Sequence, residues 1–165
     1  MSLIVRLLCF ATVLFGLVAC GKDRSIGVNF PATNNAGVEA SLTFMRLDAK
    51  WAVAQFHLSN STGKPLGLIH SGLGTGNLSN FTLTVAGGPA FAATVDGGNP
   101  FANFNEVTTS GAATAELPPG GSLDLTLKWR LLNQPAKNSD WTMKVTNLTQ
   151  GGAPLEDVVI NRPVL

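Results

Sequence analysis

Residues able to do chemistry are scarce in this chain. It holds two cysteines, two histidines and three methionines, one of them Met1, in 165 residues. None of these falls at zinc or copper spacing, so no metal centre of the thiolate or imidazole kind is expected. A general base would have to be His57 or His70. No G-x-S-x-G elbow accompanies either one, and Ser71 would point away from His70 if both lie on a strand. A base without a placed nucleophile catalyses nothing, so the chain is read as non-enzymatic. His57, beside Gln55, is expected at a half-exposed strand position.

Charge is equally sparse, at 13% of residues with a formal net charge of +1. No basic stripe is available to attract phosphates, which excludes nucleic acid as the partner. The glycines of Gly72-Leu-Gly74-Thr-Gly76 are followed by another strand pattern and lack a Walker lysine, so they read as a loop and not a phosphate cradle. No segment carries a helical stripe with caps. Past the first twenty residues, no apolar run reaches the roughly 20 residues a membrane span needs. No cofactor is expected.

What is present is strand and turn. Eighteen glycines, nine prolines and many threonines and alanines suit a β protein with frequent turns. Alternation with period two recurs along the chain. It puts Val38, Ala40, Leu42 and Phe44 on one side of one segment, and Ala52, Ala54, Phe56 and Leu58 on one side of the next. A turn at 60–65 separates this from residues 66–70. Phe81, Leu83 and Val85 follow, then Phe91, Ala93 and Val95. The clearest case is 122–131, where Leu123, Leu125, Leu127, Trp129 and Leu131 alternate with Asp124, Thr126, Lys128 and Arg130. Trp141, Met143 and Val145 alternate next, and Val158 with Ile160 closes the chain. The pattern predicts an all-β, immunoglobulin-like antiparallel sandwich of seven to nine strands over residues 38–165, with Leu125 and Trp129 in its core.

The first 19 residues read as an address. Arg6 precedes a stretch at 7–19 without a charged residue, and Gly21, Lys22, Asp23 and Arg24 follow Cys20 at once. That stretch is too short for a comfortable span and has the form of a signal-peptide h-region. Leu17-Val18-Ala19-Cys20 resembles the lipobox of bacterial lipoproteins. The resemblance implies cleavage between Ala19 and Cys20, a diacylglycerol on the Cys20 thiol, and acylation of the new N-terminus by a chain such as palmitate. An uncleaved anchor helix with Cys20 as a buried thiol is the competing reading, and the short run speaks against it. Gly21, not aspartate, follows the cysteine, which in that family implies sorting to the outer membrane, facing the periplasm. Cys9 would leave with the leader and Cys20 would carry lipid, so the mature domain would have no thiol. The mature chain would hold ten Lys and Arg against ten Asp and Glu. Residues 20–37, polar and broken by Pro31 and Asn34-Asn35, are expected as a lipidated tether.

A second resemblance covers about 56–148. "FHLSNSTGKPLGLIHSG", "NFTLTV", "ELPPGGSLDLTLKW" and "WTMKVTNL" are similar to the BsuPI-type proteinase inhibitors and to immunoglobulin-like modules of envelope lipoproteins. The chain departs from them in an insertion-like segment at 96–109 and in Trp141, where Tyr is commoner. The resemblance implies a sandwich and, as an alternative function, proteinase inhibition by a rigid loop at 60–65 or 96–105.

The segment 96–105 also carries Asp96, Asn99, Asn103 and Asn105, with Glu106 next, oxygen ligands without EF-hand spacing. Phe101 and Phe104 lie in it without alternation to bury them. Either they plug the end of the sandwich, or they form an aromatic contact for a partner protein. The sequons at Asn60, Asn77, Asn80 and Asn147 carry little meaning in a bacterial envelope protein. Taken together, the chain is expected to be a lipid-anchored module that binds another envelope protein.

Overall fold

The computed structural model describes residues 24–47, 50–70, 77–95, 105–109, 112–133, 135–136 and 139–162. Residues 1–23, with Ala19 and Cys20, lie outside them, as does the segment with Phe101 and Phe104. Among the described residues every helix or strand is a strand, and every ladder is antiparallel. The larger sheet sets eight strands side by side: β1 (Arg24–Thr33), β2 (Val38–Leu47), β3 (Trp51–Asn60), β9 (Ser122–Arg130), β6 (Ala90–Val95), β5 (Asn77–Val85), β10 (Trp141–Val145) and β13 (Val158–Arg162). A smaller sheet of five runs β12 (Ala153–Pro154), β11 (Leu148–Gln150), β4 (Leu66–His70), β8 (Ala112–Leu117) and β7 (Asn105–Thr109).

Alternation explains the core. In β9, Leu123, Leu125, Leu127 and Trp129 are buried while Asp124, Thr126 and Arg130 are exposed. Ala52, Ala54, Phe56 and Leu58 of β3 are buried in the same way, as are Trp141, Met143 and Val145 of β10. The larger sheet doubles over on this apolar face. Phe56 of β3 meets Phe81 of β5 edge-on, with ring centroids 5.2 Å apart. Trp129 of β9 donates its indole N–H to the Phe81 carbonyl at 3.1 Å. Phe30 of β1 stands edge-on to Trp141 of β10 at 5.7 Å. The edge strands β1 and β13 thereby come within 8 Å of each other. Burying each large side chain contributes about 1.5–3 kcal/mol, and here both halves of the sandwich supply them.

Two expectations need correction. The segment 20–37 is not a tether throughout, because β1 occupies Arg24–Thr33 and pairs with β2 from Arg24↔Leu47 to Thr33↔Glu39. Pro31 hid this strand. A proline is tolerated there because β1 is an edge strand, paired on one side only. Asn34 then closes the hairpin: its Oδ1 accepts the N–H groups of Ala36 and Val38, each at 3.0 Å, and Gly37 takes a φ of 84°. The second correction concerns phase. Thr43 is an extra residue in β2, between Leu42↔Phe56 and Phe44↔Gln55, so Met45 instead of Phe44 takes the next core position at 1% exposure. The described residues form thirteen strands, because β1, β7, β8, β11 and β12 add to the eight segments that the alternation marks.

Two buried amides tie the sheets together. Asn60, fully buried, sets its Nδ2 within 2.9–3.1 Å of the carbonyls of Lys64, Leu117 and Pro118. Its Oδ1 accepts from the Thr62 N–H and hydroxyl at 3.1 and 2.6 Å. Asn80, also fully buried, donates to the carbonyls of Ile69 and Thr146 at 2.6 and 3.1 Å. Replacing Asn60 by Ala takes a donor from three buried or half-buried acceptors, of which the Pro118 carbonyl keeps the Gly121 N–H and the Lys64 carbonyl keeps the Thr62 hydroxyl within reach. The expected cost is about 2–4 kcal/mol in a urea unfolding curve. Asn60→Asp should be no better, since a carboxylate cannot donate to carbonyls. A loss below about 1 kcal/mol would mean that water replaces the amide.

Candidate functional site

The outer face of the smaller sheet carries a groove, and its floor is a residue without a side chain. In β4, Leu66 and Leu68 turn into the core, so Gly67 and Ile69 belong to the other face. The register sets Glu116 of β8 and Thr149 of β11 on either side of Gly67, with Thr114 of β8 opposite Ile69. A Cβ at position 67 would lie 2.5 Å from Thr149 Oγ1 and 2.9 Å from Thr114 Cγ2. The three strands can keep these side chains only because residue 67 is glycine. The resulting depression of about 410 Å³ is walled by Lys64, Pro65, Ile69, Thr114, Glu116 and Thr149, with Gly151 and Gly152 at its rim.

The rim is pinned. Gln150 donates from Nε2 to the Thr62 hydroxyl at 2.7 Å, which joins the turn after β11 to the turn held by Asn60. The Lys64 carbonyl also lies 2.9 Å from Thr62 Oγ1, within reach of the one hydroxyl proton that Asn60 Oδ1 accepts. The groove therefore offers two hydroxyls, one ammonium, one carboxylate and the apolar surfaces of Pro65 and Ile69 on a rigid frame. This mixture suits an extended peptide segment, with polar groups to fix register and apolar patches for side chains.

The second feature is a histidine–aspartate pair on the outer face of the larger sheet. His57 and Asp124 are register partners on β3 and β9, and His57 Nδ1 lies 2.7 Å from Asp124 Oδ1. The pair is solvated, with side chains 38% and 79% exposed, as expected for His57 beside Gln55. Thr43, Gln55 and Thr126 border the same shallow depression. Among the described residues no hydroxyl hydrogen-bonds to the imidazole, so the pair has a base and an orienting acid but no nucleophile held to them. His70 is on β4, in the other sheet, so the two histidines are not brought to one site. Among the described residues no three His, Cys, Asp or Glu side chains gather as metal ligands.

Of the residues singled out in the sequence, Ala19, Cys20, Phe101, Phe104, Asp96, Asn99 and Asn103 lie outside the described residues. Asn105 and Glu106 open β7. The turn at 60–65 is the one expected contact element that reaches the groove, through Lys64 and Pro65. Gly67, Thr114, Glu116 and Thr149 were not foreseen. The only available signal was a glycine in mid-strand, in "PLGLIH". No family model matches the chain, and no curated protein matches it.

Gly67→Ala is expected to cost about 1–3 kcal/mol by overpacking, read from thermal or urea unfolding. In a Thr114→Ser/Thr149→Ala background, which removes both close atoms, the same change should cost less than about 1 kcal/mol. Equal costs in the two backgrounds would show that the backbone, and not the cross-strand approach, demands glycine.

Proposed function

We propose that the protein is a lipid-anchored, non-catalytic β-sandwich of the bacterial envelope, held through Cys20 at the periplasmic face of the outer membrane, and that it binds another envelope protein through the groove over Gly67. The observation that carries this reading is where the groove sits relative to the start of the domain. β1 begins at Arg24, four positions after Cys20, beside the Leu47 end of β2. The groove wall at Lys64 and Pro65 follows Asn60, which pairs with Val38 at the opposite end of β2. The ten residues of β3 span that distance, about 30 Å at 3.3 Å per residue. A lipid on Cys20 would hold one end at the bilayer and present the groove outward.

In this proposal Phe101 and Phe104 would be a further aromatic contact for the partner protein. One observation favours inhibition of a proteinase as the second reading: the turn at 60–65 is held from within by Asn60 and Thr62, the kind of rigid loop that keeps its shape in a protease cleft.

The anchor is tested by Cys20→Ala, which is expected to move the protein from the membrane fraction to the soluble fraction. The binding surface is tested by a photo-crosslinking residue placed at Thr114 or Gly151 in the full-length protein in cells. One partner should be captured from these positions and not from Glu39, and Thr114→Arg, which fills the groove, should abolish capture from Gly151 without lowering Tm. Capture that survives groove filling would sink the groove as the contact surface. A captured protease, inhibited at one-to-one stoichiometry, would favour the second reading.

A further inference from the structure

The mature chain is neutral in sum, but the fold separates its charges. At the end where β1 begins, Arg24 pairs with Leu47, and Arg46 is opposite Ser25 on β1 and Val53 on β3. Val53 is opposite Lys128 of β9, and Trp51 is opposite Arg130. Arg46, Lys128 and Arg130 thus lie on the outer face of three adjacent strands around Val53 and Trp51. Lys50 accepts the Leu131 N–H through its carbonyl at 2.7 Å, which sets exposed Lys50 against exposed Leu132 at the same end. Arg162 pairs with Trp141 there as well.

The described acid at this end is Asp140, next to Trp141, while Asp23 and Asp48, near in sequence, lie outside the described residues. The opposite end is acidic. It holds Glu39, Glu116, Glu156 and Asp157 with Lys64 among them, and Glu156 is fixed there by the Asn35 amide at 2.6 Å.

We infer that the basic end is a docking face for anionic phospholipid headgroups, which lays the Arg46–Lys128–Arg130 surface on the bilayer and points the groove away from it. The inference rests on the lipid-anchored reading and deepens it. Three residues separate Cys20 from Arg24, a reach of about 14 Å even when fully extended. Among the described residues, so short a link brings the basic end nearest to the headgroups. The chemistry matches. Cations near an anionic surface attract it individually, and the effect decays within a Debye length, so closeness decides. Trp51, 37% exposed, and Leu132, 75% exposed, are the large apolar groups exposed at this end, and tryptophan favours the headgroup layer. The acidic end is repelled by the same surface, so both ends turn the molecule the same way.

The test uses the full-length protein matured in cells and reconstituted into phosphatidylcholine vesicles, with or without a phosphatidylglycerol fraction. Flotation reads the anchor, and quenching of Trp51 emission by a headgroup-level nitroxide lipid reads the contact. Trp129 and Trp141 are buried and give a constant background, checked with Trp51→Phe. The protein is expected to float with both vesicles and to be quenched at Trp51 only with phosphatidylglycerol, reversibly by salt. Arg46→Gln and Arg130→Gln, both at exposed positions, should each lower the apposed-to-free ratio about fivefold while flotation is unchanged. Flotation without any phosphatidylglycerol-dependent quenching overturns the docking face and leaves the anchor intact. Flotation with phosphatidylglycerol vesicles only, lost in salt, supports the docking face and removes the anchor. Failure to float with either vesicle overturns both.

Discussion

The amide of Asn60 fixes the point where the chain leaves one sheet for the other. β3 ends on this residue and β4 begins at Leu66, in a different sheet, so the intervening turn must change layers inside the protein. Buried carbonyls at such a crossing have no ladder partner and would cost about 1–3 kcal/mol each if left bare. The Asn60 side chain reaches three of them, and its backbone pairs with Gly120 and Gly121 across the facing turn. Lys64, Pro65 and Thr62 take their places from this one residue, and they form the wall and the pinned rim of the groove. Asn80 performs the corresponding task between β5 and the end of β4. A cysteine-free domain would hold its layers together by these amides and by the indole bond of Trp129, not by a covalent link.

What could be read in the sequence depended on how many neighbours each strand has. β9 lies between β3 and β6, with one face in the core and one in water, so its alternation is nearly perfect and its residues could be placed individually. β1 is an edge strand with a bulge between Gly27 and Phe30 and a proline inside it, so the same physics left no periodic signal. β2 reads correctly up to Leu42 and out of phase after Thr43, because a single extra residue exchanges the two faces. The groove was illegible for a different reason. Gly67, Thr114, Glu116 and Thr149 come from three separate segments and meet only through register, which no local pattern encodes.

The His57–Asp124 pair illustrates how composition misleads in the opposite direction. The sequence offers Ser71 beside His70, pointing away from it on a strand, and no local partner for His57. The fold instead supplies His57 with a carboxylate 67 residues away. Yet the pair is open to water on the outer strand surface, where an ion pair contributes at most about 1 kcal/mol. Cross-strand complementarity between β3 and β9 is a sufficient account of it.

Charge shows the same limit of counting. Ten cations against ten acids in residues 20–165 leave no net charge to draw the chain toward phosphates over long distances. That balance does not govern a surface held in contact. Attraction at a few ångströms is set by the charges nearest the surface, and the strand ends place Arg46, Lys50, Lys128 and Arg130 at the same end of the sheet. A tether of 18 residues would have let the domain drift many Debye lengths away and made that arrangement irrelevant. With a lipid on Cys20, as proposed, the pairing of β1 with β2 from Arg24 onward would shorten the link to three residues and turn a separation of charge into an orientation.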